Sequence, residues 1–103
     1  MENNNIDEER IFDILSCVVD PDVHVNIVDL GLIYSVRYNN NQITIDMTLT
    51  SPTCPMADFL QESAKDAVKR IYPEKTIVIN LTFDPPWNSN MISEKGKMEL
   101  GLL

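Results

Sequence analysis

Cys54 stands in the segment Thr50-Ser51-Pro52-Thr53-Cys54-Pro55-Met56, between a strand pattern and a helix pattern. Pro55 suits the first turn of a helix, where its missing N–H would have no helical partner. Cys54 is therefore expected at the N-cap, among free backbone N–H groups at the positive end of the helix dipole. A thiol so placed ionises more readily, and the thiolate is both the nucleophile and the metal ligand. Three uses of the sulfur stay open: a small cysteine packed at a helix start, a metal ligand, or a nucleophile activated by a nearby base. That base would have to be His24, the only imidazole in the chain. Thr50, Ser51 and Thr53 surround the sulfur with hydroxyls that could serve a thiolate or simply cap the helix. Asp20 and Asp22 could approach the same end of the fold and would raise the thiol pKa against the dipole.

The ligand count limits the metal reading. The chain has two cysteines, Cys17 and Cys54, no CxxC pair and one histidine. It cannot supply four Cys/His ligands, the set an iron–sulfur cluster normally takes. A Cys54-bound cluster would be completed by a second copy of the chain, a partner protein or a small thiol. A Cys17–Cys54 disulfide is disfavoured in a reducing cytosol, and Cys17 is expected at the edge of the core. Further along, Asp84-Pro85-Pro86-Trp87 holds a large aromatic on a stiff backbone. Trp87 either docks a partner, as tryptophans at interfaces do, or folds back over the sheet.

The 103 residues suit one domain spanning 1–103, and 44% hydrophobic residues give it a core. No apolar run is long enough to cross a membrane, and the polar start is no signal peptide. The expected location is the cytoplasm. A net charge of −8 argues against nucleic acid and anionic membranes as partners.

The elements that must position Cys54 read in the order α-β-β-α-β-α. Ile11, Ile14, Leu15, Val18 and Val19 share one helical face, with Asn5 as N-cap and Asp20-Pro21 as the stop. An irregular loop over 20–31 ends at Gly31, a candidate for φ > 0. Leu32, Tyr34, Val36 and Tyr38 alternate with Ile33, Ser35 and Arg37, and Asn39-Asn40-Asn41 turns the chain. In the second strand Ile43, Ile45, Met47 and Leu49 face one way, Thr44, Asp46 and Thr48 the other. A second helix carries Ala57, Leu60, Ala64, Ala67, Val68 and Ile71, and Pro73 stops it. A third strand through Ile77, Ile79, Leu81 and Phe83 should run parallel to the second; its neighbour in the sheet stays open. Ser93 should cap a last helix ended by Gly101, with Met91, Met98 and Leu100 to Leu103 packing. The fold class is α/β (α+β): a three-stranded mixed sheet with helices on one face.

Four separated segments then carry a resemblance: Asp20-Pro21-Asp22, Val25 to Tyr34, Thr48 to Ala57, and Asp84 to Trp87. Together they resemble the small iron–sulfur assembly domain of bacterial SufT-like and PaaD-like proteins and of the eukaryotic cytosolic iron–sulfur targeting factor. The resemblance implies an auxiliary, non-enzymatic role in maturing iron–sulfur proteins. It puts the family's cysteine at Cys54 and its polar cluster at Asp20, Asp22, Thr50 and Ser51. It implies a transient cluster or iron at Cys54, none held stably, and assembly proteins and client apoproteins as partners. A metal-free adaptor and an accessory subunit of an aromatic-degradation oxygenase are the alternatives. Where the family has Asp-Pro-Glu, a short apolar residue and proline, this chain has Asp22 and His24.

Overall fold

The computed structural model describes residues 8–21, 23–50 and 57–102. Cys54, Ser51 and Asp22 lie outside these, as do the expected Asn5 cap and Leu103. The elements are α1 (Glu8–Leu15), β1 (Ile33–Asn39), β2 (Gln42–Met47), α2 (Ala57–Ile71), β3 (Thr76–Leu81), a 3-10 turn (Ser89–Met91) and α3 (Glu94–Glu99). The expected order is thus observed. The sheet order is β1-β2-β3, with β1 antiparallel and β3 parallel to β2. That answers the question of which strand β3 joins.

The core is built where the sequence pattern places it. Ile43, Ile45 and Met47 on β2 are fully buried against Ile11 and Leu15 of α1 and Leu60, Ala64 and Val68 of α2. Burying side chains of this size stabilises by roughly 1.5–3 kcal/mol each. Asn40 and Asn41, with φ of 53° and 71°, form the two-residue turn between β1 and β2. Positive φ at both positions is what the right-handed twist of a hairpin demands. Lys75 Nζ donates to Asn41 Oδ1 at 2.8 Å and tethers that turn to the α2–β3 connection.

Several expectations are corrected. Helix α1 ends at Leu15, short of Asp20. Val18 to Asp20 are extended instead, because Val19 pairs with Asn26, Asp20 N–H donates to Val25 O, and Ile27 N–H donates to Val18 O. Tertiary pairing outweighs helical spacing here, and it leaves Val19 exposed. Cys17 is exposed rather than at the core edge. Tyr34 departs from the alternation because a bulge between Ile33 and Ser35 inserts an extra residue into β1. Ile33 keeps its core contact, and Tyr34 turns its hydroxyl to Pro85 O at 2.7 Å. β3 stops at Leu81, so Phe83 is exposed, and so are Ile71, Met98 and Leu102. Leu100 does pack on the core.

Candidate functional site

The topology brings the described parts of the singled-out segments to one end of the sheet. Ile33 opens β1 opposite Met47, the last residue of β2, and Met47 pairs in turn with Leu81, the last of β3. The loop over 20–32 enters the sheet there. The chain leaves β2 there through Thr48, Leu49 and Thr50 toward Cys54, and leaves β3 there toward Asp84 and Trp87. Thr48 N–H donates to Leu32 O at 2.8 Å, which ties the second and third segments together.

The loop is a short antiparallel ribbon with Asp20 and His24 near its tip. Asp20 is 8% exposed. Its Oδ1 accepts from Val23 N–H at 3.4 Å and its carbonyl from His24 N–H at 2.8 Å. His24 has φ of +64°. Proline holds φ near −65° and cannot take this conformation, whereas histidine is among the residues that tolerate it. The proline that the resemblance would put at this position could not adopt the backbone found at His24.

Behind the tip sits a clasp. Asn26 Nδ2 donates to Asp29 Oδ2 at 2.7 Å, and Asn26 Oδ1 accepts from Asp29 N–H at 2.8 Å. Ser93 Oγ donates to Asp29 Oδ1 at 2.9 Å, and Ser93 N–H donates to Asp29 O at 2.8 Å. The same Ser93 hydroxyl caps α3 by accepting from Gly96 N–H at 3.0 Å. Gly101, at φ +78°, closes α3: its N–H donates to Met98 O and that of Leu102 to Lys97 O, the Schellman pattern. Trp87 Nε1–H donates to Leu30 O at 2.7 Å, and its half-buried ring packs on the core. The segment over 82–102 is therefore strapped onto the loop.

A second polar cluster lies on the open face of the sheet. Asp46 accepts from Ser35 Oγ, from Arg37 Nη2 at 2.8 Å and from Asn80 Nδ2 at 2.8 Å. The cluster floors a hollow of about 580 Å³ rimmed by Tyr34, Thr82 and Asp84. Burial works against the Asp46 carboxylate, but the three donors and the Arg37 charge outweigh it and hold its pKa below the ordinary 3.8. A depressed pKa contributes stability that is present above the unfolded value and lost as pH falls through the folded one. Asp46→Asn is expected to cost about 1–2 kcal/mol at neutral pH, with the cost shrinking below 3.8. Urea midpoints of both proteins at pH 7 and in acid check this, and an equal gap at both would refute it.

Among the sequence-predicted residues, Asp20 and Trp87 both belong to this end of the fold, Asp20 through the ribbon and Trp87 through Leu30. Thr50 is exposed two residues beyond Thr48. The Cys54–His24 pairing falls outside the described residues. Among the described residues, no three His, Cys, Asp or Glu side chains gather as a metal-holding group. Sequence reasoning found Ser93 as the cap of α3 but missed the clasp that it forms with Asn26 and Asp29. The Asn-x-x-Asp spacing was a signal for a local side-chain turn; the partner 64 residues away was not readable.

Similar proteins agree with this architecture. An Fe-S protein maturation auxiliary factor of Porphyromonas gingivalis is 45% identical over 97 residues, covering 93% of this chain and 92% of the relative. The Fe-S protein maturation auxiliary factor SufT of Staphylococcus aureus is 36% identical, covering 82% and 98%. The crystal structure of a domain of unknown function from Bacillus anthracis superposes with a TM-score of 0.87 at 37% identity, covering 93% and 92%. The model of the family described as iron-sulfur cluster assembly protein matches residues 8–79, from the first residue of α1 into β3. With that match over residues 8–79 and relatives of 36–45% identity along most of its length, the chain belongs to the iron–sulfur cluster assembly protein family.

Proposed function

We propose that this protein is an auxiliary factor in the maturation of iron–sulfur proteins, handling iron or a cluster transiently through Cys54. The observation that carries the maturation role is the near end-to-end match to relatives named for it. In this reading Cys54 is one thiolate ligand, and the rest of the ligand set comes from a partner, so the cluster is cargo. A client thiol can then displace Cys54: one sulfur–iron bond forms as the other breaks, and the proton of the client thiol goes to Cys54 or solvent. An incomplete ligand set on the donor favours that exchange. In this reading Asp20, Asp22, Thr50 and Ser51 act as the polar residues that support Cys54, and the exposed part of the Asp84 to Trp87 segment offers the docking surface for assembly proteins and clients. No catalytic residue is required by this role. No helix among the described residues is long and apolar enough to cross a membrane, and we place the protein in the cytoplasm.

Anaerobic reconstitution with iron and sulfide tests the ligand role. Wild type should gain iron, sulfide and the broad visible absorption of thiolate-bound iron. Cys54→Ser should fall to background, and a strain carrying it should lose activity of iron–sulfur client enzymes. Equal iron in both proteins together with full client activity would overturn the assignment.

A further inference from the structure

We propose that β3 is the edge at which two copies of this chain pair, antiparallel, about a two-fold axis through Val78. This goes beyond the maturation role and does not depend on it.

β3 is an edge strand, and among the described residues nothing hydrogen-bonds to its outer side. Exposed edges are usually blunted by charge, proline or a bulge. β3 has none of these: Thr76-Ile77-Val78-Ile79-Asn80-Leu81 is uncharged, lacks proline, and keeps unbroken register with β2. Thr76 N–H donates to Asn41 O and Thr82 N–H to Met47 O, so the even-numbered residues turn their N–H groups toward β2. By alternation, Ile77 and Ile79 turn N–H and C=O outward.

The sequence about Val78 is nearly palindromic, which is what an isologous contact needs. In an antiparallel pair centred there, Ile77 exchanges two hydrogen bonds with Ile79 of the partner subunit, and Ile79 does so with Ile77 of the partner subunit. Val78 faces Val78 of the partner subunit as the closer, non-hydrogen-bonded pair. The outward donors fall on the residues that this register requires. The result is a continuous six-stranded sheet.

Charge supports the same axis. A groove of about 310 Å³ between α2 and the β3 edge is lined by Gln61, Glu62, Lys65 and Ile77 to Ile79. Glu62 and Lys65 lie one turn apart on α2 and both are exposed. A two-fold axis at the level of Val78 sets Glu62 opposite Lys65 of the partner subunit, and Lys65 opposite the partner's Glu62. The choice of a second copy as occupant rests on this match of opposite charges and on the palindrome.

Sedimentation of wild type from about 1 μM to 1 mM should show a monomer–dimer equilibrium. Val78→Lys sets like charges directly opposite one another and should raise the dissociation constant about tenfold or more. Val78→Glu should do the same. An equimolar mixture of the two variants should dimerise again, because the two-fold axis pairs position 78 with itself. Glu62→Lys should weaken the dimer, and adding Lys65→Glu should restore it. These helix-surface variants test the axis should position 78 prove intolerant of charge. A wild type monomeric throughout, a dimer indifferent to Val78→Lys, or variants that fail to recombine would each overturn the proposal.

Discussion

Gly31→Ala is expected to destabilise the protein by about 3 kcal/mol or more. Gly31 has φ of +79°, and a Cβ built on it would lie 2.4 Å from Met91 O. Two penalties coincide. A left-handed conformation costs an L-residue roughly 1–2 kcal/mol. The contact is tighter than any real Cβ makes, and its neighbour is backbone, so the strap over 82–102 must move away from the loop. Overpacking of that kind costs typically 1–3 kcal/mol more. Against a total stability of about 5–15 kcal/mol, the melting point should fall on the order of 15 °C. Gly101→Ala separates the two penalties. Gly101 has φ of +78° but nothing within 4 Å of its added Cβ, so it should cost only the backbone part, about 1 kcal/mol. Equal losses in the two variants would show that Met91 gives way freely and that the strap is not seated on Gly31.

Asp29→Ala is expected to open the clasp, costing about 2–4 kcal/mol. The carboxylate accepts from Asn26 and Ser93, and hydrogen bonds to a charged group are worth about 1.5–3 kcal/mol each. They share one acceptor group, so their losses do not add fully. The chain carries its own reporter, since Trp87 is its only tryptophan and its indole N–H rests on Leu30 O, one residue from Asp29. The variant should show red-shifted tryptophan emission while far-UV circular dichroism is unchanged. Asp29→Ala should also lower the further cost of Ser93→Ala in a double-mutant cycle, leaving the part that comes from the cap on Gly96 N–H. Strict additivity of the two, with native emission, would mean that the pair is incidental.

Local rules were enough for most of the elements. β2 alternates cleanly because one face is core and the other carries Thr44 and Asp46. The Asn40-Asn41 turn, the Ser93 cap and Gly101 follow from backbone chemistry that each residue carries alone. The errors arise where a distant partner decides. Val18 and Val19 continue a helical stripe, yet they pair with the returning ribbon. Tyr34 keeps the strand period, yet the bulge sends its hydroxyl to Pro85. Cys54 was singled out through the proline that follows it, and it lies outside the described residues. The buttress behind the loop was not legible, because Asp29 and Ser93 are joined only by the fold. Trp87 was legible as important, and its bond to Leu30 gives it a packing role beside the docking one proposed for it.

The clasp also sets an order of events. Asp29 waits for Ser93, 64 residues later, and closing so long a loop on its own is entropically unfavourable until the sheet has brought its ends together. While the chain is being synthesised, α1, the hairpin and α2 can all form before the strap exists. The loop bearing Asp20 is therefore secured only once the chain has been made as far as Ser93, and a chain cut short before Ser93 would lack the lock. The end of the sheet where the motif segments meet is thus locked later than the core on which it stands.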